Sequence, residues 1–148
     1  MCGRFTLRMP ASVLIRQFGV DAGLQLPLRY NIAPTQPVLQ FRGKGGARQA
    51  ANLHRGLVPS WDGDPAISNR MINARADSVA DKPSFRAAFK RGWILIAADG
   101  FYEWQKKQPF YIRQKSDSPF AISGSFEHWH RDDKTFDASK LKLGYAIW

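Results

Sequence analysis

The 148-residue sequence is marked by what it is short of: one cysteine, three histidines and twelve acidic residues. A single thiol cannot close an internal disulfide, which fits a reducing compartment. Cys2 is that thiol and the histidines stand at 54, 128 and 130. His128 and His130 are two apart, and no second thiol joins them, so no zinc-ligand spacing exists and neither a metal nor a cofactor is expected. No apolar run reaches the roughly 18 residues a membrane span needs. Arg4 and Arg8 interrupt any secretory pattern at the start, so a cytoplasmic protein with no membrane partner is expected. "GKGGA" (43–47) lacks the residues that complete a phosphate-binding loop, and no nucleophile-elbow sequence occurs.

Acid is scarce and base is not. Twenty-two Lys and Arg face twelve Asp and Glu, a net charge of +10. Thirteen of the basic residues are arginines, whose planar fork suits phosphate oxygens. This balance favours a polyanionic partner, nucleic acid first among them, while a charged, solubilising surface is the plainer alternative.

The length suits one domain, residues 1–148, and there are no repeats, low-complexity tracts or linkers. Residues 10–18 read as a helix begun at Pro10 or Ser12, with Leu14 and Phe18 on one face and Gly19 at its end. Residues 23–37, with three prolines, read as an ordered loop. Strands are expected at 38–42 and 50–58, joined by a glycine-rich hairpin turn at 43–47. Residues 58–70 read as a loop, 71–75 as a short strand, and 82–92 as a helix opened by Pro83 or Ser84 with Phe85 and Phe89 inward. Further strands are expected at 93–98, 101–104, 109–114, 119–126 and 140–148. The class is α+β: an antiparallel-rich, curved or barrel-like β-sheet with a few short peripheral helices.

Four segments carry chemistry. In "MCGRF" (1–5), loss of Met1 would leave Cys2 with an α-amine and a thiol on adjacent carbons. Their reference pKa values, about 7.7–8.0 and about 8.5, leave both partly nucleophilic near neutrality. The amine can condense with an aldehyde and the thiol then close a thiazolidine ring; the same pair could serve an N-terminal-nucleophile hydrolase. A Cys with no role near the start codon is the plain alternative. In "ADGFYEW" (98–104), Glu103 is a carboxylate in an apolar setting that suits a general acid or base; alternation equally allows an outward-facing strand residue. In "RMINARAD" (70–77), Asn73 and Arg75 would point the same way from a strand and converge on a sugar-phosphate, or be ordinary surface polarity. In "GLVPSW" (56–61), Trp61 could stack on an unpaired base or anchor the core.

Taken in order, "MCGRF" (1–5), "RYNIAPTQ" (29–36), "GLVPSW" (56–61), "NRMINARAD" (69–77), "KPSFRAAFKR" (82–91), "ADGFYEW" (98–104) and "KKQPFYI" (106–112) resemble the SOS-response-associated peptidase (SRAP) domain family. The resemblance covers most of residues 1–126. It implies a sensor and shield of abasic sites in single-stranded DNA, working as a monomer in a bacterial-type cytoplasm and nucleoid-associated when bound. It implies autocatalytic removal of Met1 and a thiazolidine crosslink through Cys2, with Asn73 holding the N-terminus and the sugar and Glu103 moving protons. Arg4 and Arg75 resemble phosphate-contacting positions, and Trp61 a stacking or wedge residue. β-Lyase-like chemistry and slow reversal of the crosslink are implied as well. Two readings stand beside this one: a peptidase acting on other proteins through Cys2, and a non-catalytic single-strand binder.

The departures are specific. Family members continue well past this point and carry a catalytic histidine followed closely by arginine and proline, which nothing here matches. The domain is therefore expected to be incomplete at its C-terminus. Asp77 stands where glutamate is usual, and "HRGLVPSW" lacks the tryptophan usual before the glycine.

Overall fold

The structure is a computed structural model that describes residues 3–20, 26–129 and 142–147. Among the described residues, nine strands form a closed barrel and an attached sheet. β1 (Arg4–Leu7), β2 (Arg29–Ile32), β6 (Gly100–Gln105) and β7 (Gln108–Ile112) make the sheet, in the order β2-β1-β6-β7. β3 (Pro37–Lys44), β4 (Ala47–Arg55), β9 (Lys142–Ile147), β8 (Phe120–Trp129) and β5 (Trp93–Ala98) close the barrel in that order. The expected α+β class and the barrel-like, mostly antiparallel sheet are both present; among the described residues the one parallel contact is β4 on β9, His54 opposite Gly144.

Local chemistry accounts for most elements. β3 and β4 pair without a break from Pro37–His54 to Lys44–Ala47. Gly45 and Gly46 turn the hairpin with φ of 59° and 81°, values that glycine alone adopts freely in succession. α1 (Ala11–Phe18) buries Leu14 and Phe18 and ends on Gly19 in the left-handed conformation, whose N–H reaches Ile15 O at 2.9 Å. α2 (Arg86–Arg91) is shorter than the segment read as helical; residues 83–85 are turns that lead into it. The tail expected to be a strand forms β9 over Lys142–Ile147.

Two expectations are corrected and one strand was not expected at all. β2 lies in the segment read as loop, because Ile32 fills the core while Arg29, Tyr30 and Asn31 give the strand a polar, partly exposed remainder that hides its period. β1 has no counterpart among the expected strands. Residues 71–75 are not a strand: only Asn73 makes an isolated bridge.

The main core joins barrel to sheet. Val38, Phe41, Leu53, Ile94 and Ile96 from the barrel pack with Phe5, Leu7 and Ile32 from the sheet and with Leu14 and Phe18 from α1. A smaller core of Leu57, Ala74, Val79, Phe85 and Ala88 seats the connection between β4 and α2. That connection carries a 3₁₀ turn (Pro65–Arg70) capped by the Asp64 side chain on Ala66 N. Gly56 is required where it leaves β4: its φ is +132°, and a Cβ there would stand 2.4 Å from Ser68 O.

Candidate functional site around the chain start

β1 is the second strand of its sheet, held between β2 and β6. Its register on β6 sets Arg4 opposite Tyr102 and Phe5 opposite Phe101. Strand residues alternate between faces, so the sheet has two different sides. On one, Arg4, Asn31, Tyr102, Trp104 and Pro109 line a cleft of about 540 Å³. Arg4 is exposed and donates from Nη1 to Asn31 Oδ1 at 3.1 Å. On the other side lie Phe5, Phe101 and, two residues on, Glu103, which faces Phe110 across β7. Glu103 is half-buried on this face, and Phe110 opposite it is exposed.

A residue that sequence reasoning missed organises this second side. Arg55, the last residue of β4, has no solvent exposure. Its Nη1 donates to Gly3 O at 3.0 Å and its Nη2 to Asn73 Oδ1 at 3.3 Å. Its guanidinium lies 5.3 Å from the centre of the Phe5 ring. One buried cation thus ties the backbone just after Cys2 to the Asn73 side chain, with an aromatic face beneath it. Arg55 is the residue before the glycine of "HRGLVPSW", the position the resemblance marked as a departure, and that was the available signal. Cys2 itself lies outside the described residues.

A second missed group locks β1 to β6. Asp99 is fully buried and accepts from the Thr6 hydroxyl, from Arg8 N at 2.5 Å and from Arg8 Nε at 3.4 Å. Thr6 Oγ1 also lies 2.8 Å from the Tyr111 hydroxyl. Burial pushes the pKa of the Arg8 guanidinium down, but Asp99 and Tyr111 together outweigh that effect and hold it above its ordinary value. The signal was an aspartate closing an apolar strand, "ILIAAD", with no solvent to justify it.

The expected convergence of Asn73 and Arg75 does not occur. Without a strand at 71–75, Asn73 turns inward to Arg55 while Arg75 is exposed and clasps Asp77 at 2.5 Å. The hydrogen bonds from Arg75 hold the Asp77 carboxyl down to about 2. Trp61 is 63% exposed at a turn, so it is not the core anchor; that place is taken by Trp129, buried and bonded from Nε1 to Asp62 O at 2.6 Å. Among the described residues no group of three His, Cys, Asp or Glu could hold a metal ion, and no helix is long and apolar enough to cross a membrane.

A curved barrel flanked by a four-stranded sheet, with the chain start drawn onto a buried arginine, is the arrangement to be placed among known proteins. The family described as SOS response associated peptidase (SRAP) matches residues 1–143, and the chain belongs to that family. It is 39% identical over 138 residues to the abasic site processing protein YoqW of Bacillus subtilis, covering 88% of this chain and 62% of that protein. To the abasic site processing protein YedK of Escherichia coli it is 29% identical over 133 residues, covering 83% and 58%. It is 31% identical to the rat abasic site processing protein HMCES, covering 84% of this chain and 45% of the relative. The chain thus spans about three-fifths of the bacterial relatives' length. A crystal structure from Bacteroides thetaiotaomicron has the same fold, with a TM-score of 0.80 at 21% identity over 99% of this chain and 67% of that one. A phage-related protein of Bordetella bronchiseptica superposes with a TM-score of 0.73 at 27% identity, covering 99% and 68%.

Proposed function

We propose that this chain processes abasic sites in single-stranded DNA by forming a covalent thiazolidine through Cys2. The observation that supports the reading is the Arg55 tether, which binds Gly3 O and Asn73 Oδ1 at once. Further support comes from the +10 charge and from relatives that are named for abasic site processing.

Met1 is first removed by hydrolysis of the Met1–Cys2 peptide bond, which consumes one water. The freed amine adds to the aldehyde of the ring-opened sugar and expels water as an imine. The Cys2 thiol then adds to the imine carbon while its proton passes to nitrogen, closing the five-membered ring. Glu103 carries protons in these steps. Asn73 orients the N-terminus and the sugar. Arg4, exposed in the cleft beside Tyr102 and Trp104, meets a backbone phosphate, with Arg75 a second phosphate contact and Trp61 a base-stacking surface. The protein works as a monomer in the cytoplasm and joins the nucleoid when bound to DNA.

Incubation of Met1-free protein with a single strand bearing one abasic site should yield an adduct that survives denaturing electrophoresis. Cys2→Ala should abolish it. Equal adduct from Cys2→Ala would overturn the reading, and cleavage of added polypeptides by the same preparation would favour a peptidase.

A further inference from the structure

A groove on another part of the molecule shares no residue with the cleft at Arg4. Near the hairpin end of β3, a hollow of about 310 Å³ is lined by Arg42, Gly43, Arg91, Trp93, Phe126 and His128. A second hollow of about 380 Å³ adjoins it through Arg91, Phe126 and His128 and runs on to Ser60, the neighbour of exposed Trp61. Each lies near the lower end of the size range of ligand sites, roughly 300–1,000 Å³.

The chemistry along this track is of two kinds. The flat surfaces are aromatic. Trp93 is 55% exposed, yet its indole is fixed, because Nε1 donates to Phe89 O at 2.5 Å and the two rings stand 5.1 Å apart. Phe126 meets His128 edge-on at 5.5 Å, and the Arg42 guanidinium lies 5.5 Å over the Phe126 ring. The charges are arginines. Among the described residues neither Arg42 nor Arg91 forms an ion pair with a carboxylate, and Glu127 is the one acidic residue lining the track. Arg42 Nε is buried with no hydrogen-bond partner. Two residues along the same face of β3, Gln40 is fully buried and both its amide atoms are also unpartnered. A buried donor left unpaired is unfavourable, and an incoming phosphate oxygen would complete Arg42.

Rigid aromatic faces alternating with guanidinium groups that form no ion pair among the described residues suit a single strand of nucleic acid, since bases stack and phosphates seek cations. We propose that the Arg42–Arg91–Trp93 groove is a second binding track for single-stranded DNA, in which a base stacks on Trp93 and the adjoining phosphates lie on Arg42 and Arg91. It would hold the strand outside the Cys2 site and raise the local concentration of DNA there. The proposal rests on the single-stranded-DNA reading given above but not on any step at Cys2.

The test therefore uses undamaged DNA. Fluorescence anisotropy of labelled oligothymidylate, titrated at several salt concentrations, reads strand binding without any step at Cys2, and the groove variants report the groove's share of it. Trp93→Leu should weaken binding about fivefold or more, with most of the loss recovered in Trp93→Phe. Arg91→Gln should weaken binding and reduce the slope of log affinity against log salt by about 0.7. Both residues are exposed, and circular dichroism checks that the variants fold. Crosslinking of an abasic trinucleotide by the same proteins reports the Cys2 chemistry separately; its failure in the unsubstituted protein would overturn that chemistry and leave the groove standing. Trp93→Leu and Arg91→Gln proteins that bind like the unsubstituted one would overturn the groove. So would polyglutamate displacing the strand as well as unlabelled oligothymidylate does, since charge alone would then explain the binding.

Discussion

Arg55→Met removes the tether while keeping a long, apolar stem in the same space. Two charge-assisted hydrogen bonds are lost, each worth about 1.5–3 kcal/mol, along with contact between the guanidinium and Phe5 worth about 1–2 kcal/mol. Against this, a cation with no solvent exposure no longer has to be desolvated, a term of several kcal/mol in the other direction. Global stability should therefore change little. The local effect is not offset. The bond to Gly3 O ties Gly3 to the arginine that also holds Asn73, and its loss at about 1.5–3 kcal/mol lowers the population of Gly3 in that position roughly ten- to a hundredfold. The assay is the single-turnover rate of crosslinking to an abasic single strand, with intact-mass spectrometry reporting the state of Met1 and thermal melting reporting the fold. A melting point close to the unsubstituted protein's, with crosslinking slowed by about that factor, is expected; retention of Met1 would register the same loss one step earlier. A folded Arg55→Met protein that sheds Met1 and crosslinks at the full rate would refute the tether.

Gly56→Ala should be among the most damaging small substitutions. The new Cβ would meet the Ser68 carbonyl at 2.4 Å in a backbone with φ of +132°, costing about 3 kcal/mol or more and lowering the melting temperature by about 6 °C or more; an unchanged melting curve would count against the geometry there. Asp77 gives a pH prediction with a definite sign. Its folded pKa, about 2, lies below the unfolded value of about 3.9, so the pairing with Arg75 is whole above about pH 4 and is lost as pH falls through about 2. Carboxyl-carbon NMR should show the Asp77 midpoint near 2, returning toward the ordinary range in Arg75→Gln and, because the pair is exposed, at high salt; a midpoint that Arg75→Gln leaves in place would break the assignment.

The sequence by itself carried the strands whose own residues show an apolar run bounded by turn residues, whatever they pair with in space. The β3–β4 hairpin announces itself through Gly45 and Gly46, and β5 to β8 through short apolar runs divided by turn residues. α1 is likewise legible, since a helix closes its hydrogen bonds within four residues and its buried face repeats locally. The paired amine and thiol at Cys2 and the carboxylate of Glu103 were visible as residue types.

What the sequence could not decide is which distant residues meet, and any strand too short or too polar to show a period of its own. β1 exists because Phe5 and Leu7 find the core and its backbone pairs with residues more than twenty positions away on one side and more than ninety on the other. Asn73 and Arg75 part company because the 3₁₀ turn and Gly56 shape that connection, so that no strand makes them parallel. Arg55 reads as one of thirteen arginines until the barrel closes around it and brings Gly3, Phe5 and Asn73 to its three sides. Local pattern reports local hydrogen bonding and the period of burial; which buried charge meets which backbone carbonyl is settled only when the layers pack, because that contact has no period in the chain to betray it.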